Sequence, residues 1–194
     1  HPEVFRPPMY PLFLAVLMRL GLGVFGFVAV QLALYLVAIW VSMRTALMMT
    51  GDRLTAVLLG VLLAVYPPLV RWTTSVTAES LCTILFCVCS WCLARHLQHA
   101  SWPNTTGLGL SVGALFLTRI TYVVLVPIVV GVSAVRSRRQ GGMRYAVVLA
   151  MIVLAPTAIW GVRNLMVMPS SFSPFGVGSG MALWGRSVEL REPN

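Results

Sequence analysis

Residues 24–43, VFGFVAVQLALYLVAIWVSM, carry no charged side chain. A helix needs about 20 such residues to cross a ~30 Å hydrocarbon core. Lipid offers the backbone no hydrogen-bond partners, so a run like this must close its own bonds as a helix. Further apolar runs follow at residues 54–70, 76–95, 107–135 and 145–162. Charged residues make up 10% of the chain, against about 25% in soluble domains. The expected fold is all-α, a polytopic transmembrane helical bundle.

Between these runs the chain shows recognisable breaks. Residues 1–11 are rich in proline and polar groups, and residues 12–20 form an apolar segment too short to span, ending in Arg19. That segment suits an interfacial helix whose arginine snorkels to the headgroups. Arg44 closes the first span, Thr50-Gly51-Asp52 reads as a turn, and Pro67-Pro68 interrupts the second span near its end. A polar loop, HLQHASWPNTT, follows Arg95, and the basic stretch RSRRQGGMR occupies residues 136–144. A membrane core over residues 1–163 and a polar tail over 164–194 are expected. The chain begins at His1 and stops in a polar stretch, so it is expected to be a piece of a longer protein.

The net charge is +9, and all 14 basic residues are arginine. Nucleic acid would be the usual partner for such a balance, but these arginines sit at the ends of apolar runs. Arginine there marks membrane orientation. The segment 136–144 holds four arginines and no acid, the loop after residue 95 carries Arg95, and the turn at 44–53 carries Arg44 and Arg53 against Asp52. Placing all three in the cytoplasm requires residues 107–135 to cross twice, as a hairpin with Arg119 at its outer tip. Six crossings result, with an interfacial N-terminal helix and both ends of the chain outside.

In that arrangement Arg71, Glu79, Arg119 and Arg163 gather at the outer side, where positive charge is normally depleted. Ionisable groups at membrane depth mark functional sites, and the planar fork of arginine suits phosphate. Each also has a plainer role. An arginine at a helix end can snorkel, and Glu79 can complement a helix dipole or pair with Arg71. Cys82, Cys87, Cys89 and Cys92 share one apolar run and read as packing residues. Gly109 and Gly113 have the spacing of a helix-packing motif. Gly176, Gly178 and Gly180 mimic a phosphate loop but neither follow a strand nor open a helix. His96 and His99 sit in the polar loop without metal-ligand neighbours, and Asn104-Thr-Thr fits a glycosylation sequon on the cytoplasmic side.

Four stretches resemble the membrane half of GT-C glycosyltransferases, the broad family of dolichyl-phosphate-mannose–protein mannosyltransferases and aminoarabinose-type transferases. They are Arg6-Pro7-Pro8-x-Tyr10-Pro11-Leu12, Tyr66-Pro67-Pro68 through Thr77-Ala78-Glu79, Leu117-Thr118-Arg119, and Trp160-x-x-Arg163-Asn164 with Leu183-Trp184-Gly185 downstream. Ile120 stands where the family usually has proline. The resemblance implies sugar transfer from a polyprenyl-phosphate donor to a lipid, glycan or protein acceptor at the outer or lumenal face, in a bacterial inner membrane. It implies donor-phosphate binding by Arg119, Arg71 and Arg163, and substrate binding by Glu79, Arg6, Tyr10 and Asn164. It also places a catalytic Asp on an outer loop upstream of His1, which would leave this piece inactive alone. No cofactor is implied, although a divalent cation is compatible with the chemistry. A transporter or flippase of a lipid-linked anion is the alternative, since intramembrane charges and broken helices mark those proteins too.

Overall fold

The computed structural model describes residues 7–139 and 143–167. Eight α-helices and one 3-10 segment account for them: α1 (Met9–Arg19), α2 (Val24–Thr50), α3 (Arg53–Val65), α4 (Pro67–Thr73), α5 (Ala78–Gln98), α6 (Trp102–Thr118), the 3-10 segment (Ile120–Val124), α7 (Leu125–Arg139) and α8 (Met143–Val167). By length and apolarity, α2, α5 and Met143–Met166 of α8 qualify as membrane spans; α3 and α4, bent by 60°, together make a fourth candidate. Large apolar side chains such as Phe25, Leu36, Val61 and Ile159 are exposed on their outer faces, as lipid contact requires. The protein is a helical membrane bundle.

The breaks have local causes. Gly51 ends α2 in the left-handed region at φ 72°, where a side chain would be strained. Asp52 caps α3, accepting from the backbone N–H groups of Leu54 and Thr55. Tyr66 is extended because it precedes Pro67, and the two prolines open α4 at a new angle. Arg119 is extended at φ −154°, ψ 121°, so the run 107–135 is broken at the residue taken as a hairpin tip. Two boundaries differ from the sequence expectation. Arg44 does not close a span: α2 continues through it to Thr50. Most of the stretch expected as a polar loop after Arg95 is helical, leaving His99, Ala100 and Ser101 as the connection.

Cross-helix contacts give the direction of each rod. Gln31 meets Ser80, and Gln98 meets Met48, so α2 and α5 run parallel. Tyr35 reaches the Leu63 carbonyl, and Gly60 abuts Met43, so α3 runs against α2. Glu79 meets Arg119, and Asn104 meets His99, so α6 runs against α5. Gly109 abuts Ile152, and Trp102 stacks near Tyr145, so α8 runs with α6. His96 meets Ser133, which lies near the C-terminal end of α7.

Six rods therefore run between two ends. Arg44, Arg53, Arg95, Arg136 and Arg144 fall at one end, and Arg71, Glu79, Arg119 and Arg163 at the other. The centre is packed by Leu108, Val112 and Leu115 of α6 with Cys89, Val129, Leu149 and Val153. At the arginine-rich end, guanidinium groups lie over aromatic rings: Arg44 over Trp40 at 5.3 Å, Arg95 over Trp91 at 4.9 Å and Arg144 over Tyr145 at 5.2 Å.

Candidate active site

The end opposite the arginine-rich face holds a cleft of about 690 Å³. Helix α1 forms one wall with Tyr10, Pro11, Leu14 and Met18. The start of α5 supplies Thr77, Ala78 and Glu79, and the end of α6 supplies Thr118 and Arg119. Each element delivers its polar residue for a sequence reason. Pro67-Pro68 and the Ser75–Thr77 turn bring the chain back so that Glu79 falls in the first turn of α5. The break after Thr118 leaves Arg119 at the lip of the cleft.

Arg119 Nη1 donates to Glu79 Oε1 at 2.7 Å. The two side chains are 49% and 33% exposed, so the pair is open to the cleft. Glu79 pairs with Arg119, 40 residues away in sequence, and not with Arg71; it also stands in the first turn of α5, where a carboxylate complements the helix dipole. Arg119 has no acid near it along the chain; the fold supplies Glu79. Among the described residues Glu79 is the only carboxylate at this end, because Asp52 lies in the turn at the other.

Of the residues singled out from the sequence, Tyr10, Glu79 and Arg119 share this cleft. Arg71 is exposed on α4 and does not line it. Arg163 lies at the same end, 4.7 Å over the Trp160 ring, and donates to Asn164 Oδ1 at 3.0 Å. Asn164 is buried, and α8 runs on past it to Val167. Arg6, the basic loop centre at 140–142 and the segment 168–194, with Gly176, Gly178, Gly180 and Leu183-Trp184-Gly185, lie outside the described residues.

Other candidates take packing roles. A Cβ on Gly109 would stand 2.7 Å from Ile152 Cγ2, so α6 and α8 meet through this glycine. Cys82 and Cys89 are buried, Cys87 and Cys92 half-buried, all unbridged. Asn104 donates to the His99 carbonyl at 2.8 Å, closing the α5–α6 connection. His96 is not a loop residue. It is fully buried in α5, 2.9 Å from Ser133 Oγ and 3.2 Å from Thr105 Oγ1. Nothing in its neighbourhood along the chain signals these partners. Among the described residues no group of three His, Cys, Asp or Glu side chains could hold a metal.

Comparison with curated proteins and with solved structures gave no match. Residues 5–160 match the family model described as dolichyl-phosphate-mannose-protein mannosyltransferase. The matched segment contains the cleft, its ion pair and the breaks that position them. With well over half of its length matched, the chain belongs to the dolichyl-phosphate-mannose-protein mannosyltransferase family, a GT-C type family of glycosyltransferases.

Proposed function

We propose that the cleft binds a polyprenyl-phosphate sugar and that Arg119 holds the donor phosphate during transfer to a lipid, glycan or protein acceptor. The observation that carries this is an exposed Arg119–Glu79 pair at the lip of a cleft in a chain of this family. Glu79 keeps the guanidinium directed at the cleft without burying it. An arriving phosphate offers the same fork a stronger, bidentate partner. Arg71 and Arg163 stand at the same end and add positive potential there.

In the transfer, an acceptor hydroxyl oxygen bonds to the anomeric carbon. The bond from that carbon to the phosphate oxygen breaks, and the hydroxyl proton passes to a carboxylate base. Negative charge grows on the departing polyprenyl phosphate, and a fixed cation there lowers the barrier. Arg119 has that role; Glu79, displaced from it, is free to orient donor or acceptor hydroxyls. The arginine-rich end then faces the cytoplasm, and the reaction takes place on the outer face of a membrane such as the bacterial inner membrane. Membrane transport of a lipid-linked anion draws no support from the family match.

Donor binding and turnover of Arg119→Ala and Arg119→Lys in the full-length protein test this. Hydrogen bonds to charged groups are worth about 1.5–3 kcal/mol, so Ala should weaken binding roughly tenfold to 150-fold. Lys keeps the charge without the fork and should fall between. Wild-type binding and turnover in Arg119→Ala, at normal protein level, would reduce Arg119 to a lipid anchor.

A further inference from the structure

One wall of the cleft, and the layer of side chains directly behind it, contain polar atoms with no partner. The Tyr10 hydroxyl, the Thr77 hydroxyl and the side-chain carbonyl oxygen of Gln31 are all shut from solvent and form no hydrogen bond. They belong to one cluster. Gln31 Nε2 donates to Ser80 Oγ at 2.7 Å, and Ser80 Oγ donates to the Thr77 carbonyl at 2.8 Å. The Tyr10 hydroxyl approaches the Gln31 side chain to within hydrogen-bonding reach, but the two do not meet in bonding geometry. Tyr10 and Thr77 both line the cleft that holds Glu79 and Arg119. Gln31 is only 1% exposed, a fully buried amide on a largely apolar helix.

Buried polar atoms are nearly always paired, because an unmade bond leaves the lost hydration of the atom uncompensated. Three in one cluster, beside a cleft, indicate a wall whose partner arrives from outside. The chemistry of the trio narrows that partner. An amide oxygen only accepts, and hydroxyls both donate and accept. None carries charge. An ionised phosphate, which only accepts, gains nothing from the Gln31 oxygen. A group bearing several hydroxyls can satisfy all three.

We propose that Gln31 and Thr77, together with Tyr10, form an uncharged subsite for the hydroxyl groups of the transferred sugar, beside the phosphate position at Arg119. The proposal rests on the donor reading above and divides the cleft in two, charged at the lip and neutral behind it. Tyr10 rides on α1, which joins α2 through Gly21 in the left-handed region at φ 74°.

The test compares polyprenyl-phosphate hexoses with sugar-free polyprenyl phosphate of the same chain length, binding to the full-length protein in lipid nanodiscs. The wild type should bind at least one sugar-bearing lipid more tightly than the bare one. Gln31→Leu and Thr77→Val should each lower that affinity roughly threefold to tenfold, the loss of one or two neutral hydrogen bonds. Binding of the bare lipid should not change, and Thr77→Ser should restore the preference. Arg119→Ala should weaken both lipids alike. An unchanged sugar preference in both variants would overturn the subsite and leave the trio as a site for buried water only. Equal weakening of both lipids would assign Gln31 and Thr77 to packing and overturn it too. A wild type that binds neither lipid would overturn the donor reading itself, and the subsite with it.

Discussion

Single residues divide by whether their role is local. Gly109 was legible because a small residue four positions from another small one has few uses in an apolar helix besides close packing. Its Cβ position lies 2.7 Å from Ile152 Cγ2 and 3.0 Å from Ile152 Cβ, so the neighbour cannot simply swing away. Gly109→Val should therefore destabilise the bundle by about 1–3 kcal/mol through overpacking. Ile152→Ala on that background should recover part of the loss, because the two sites share one contact. Thermal unfolding of the three proteins in one detergent measures it, and a Gly109→Val protein as stable as the parent would contradict the contact. His96 and Gln31 were illegible for the opposite reason. Each is a lone polar residue whose partners, Ser133 and Ser80, are 37 and 49 residues away. Arg119 stands between: its exposure at a break could be read from flanking apolar sequence, whereas its pairing with Glu79 needed the fold.

At the scale of elements, breaks were legible and helix ends less so. Gly51-Asp52 and Pro67-Pro68 dictate local geometry whatever surrounds them, and the chain turns at both. Arg44 misled because charge was taken to end a span, whereas backbone hydrogen bonding continues until Gly51 stops it. The α2–α3 turn depends on the Asp52 carboxylate. Hydrogen bonds from the Thr55 hydroxyl, then from the Thr55 and Leu54 amides, hold its pKa below the ordinary carboxylate range. A lowered folded-state value means that the cap's contribution is present above the unfolded value of about 3.9. It is lost as pH falls through the folded value. Hydrogen exchange at the Leu54 and Thr55 amides should stay slow, relative to the intrinsic rate, down to about pH 4 and become faster only below it. Asp52→Ala should speed exchange at both already at pH 7, and Asp52→Asn, also a good cap, should not. Equal exchange in the Ala variant and the parent would remove Asp52 from the account of this turn.

For the whole molecule, the number of rods was legible in the apolar runs and their alternation in the arginines. Which rods touch was not legible, because lipid-facing and bundle-facing sides are both apolar. That is why the cleft, built from three segments distant in sequence, needed the structure. The alternation carries a last consequence. His99 is exposed in the α5–α6 connection, and Thr74 is exposed between α4 and α5; the parallel and antiparallel contacts put them at opposite ends of the bundle. The end with Arg44, Arg53, Arg95, Arg136 and Arg144 has the charge excess of a cytoplasmic face. In a variant lacking the four native cysteines, Thr74→Cys should react with an impermeant maleimide added outside intact cells, whereas His99→Cys should react only after the membrane is permeabilised. Asn104, one turn from His99 and using its amide to bind the His99 carbonyl, should for the same reason carry no glycan in a eukaryotic host. The reverse labelling pattern would invert the protein and place the Arg119 cleft in the cytoplasm, while labelling of both sites from outside would mean that α5 does not cross. Either outcome removes the basis for sugar transfer on the outer face, because the donor phosphate would then lie on the wrong side of the membrane or at no defined depth within it.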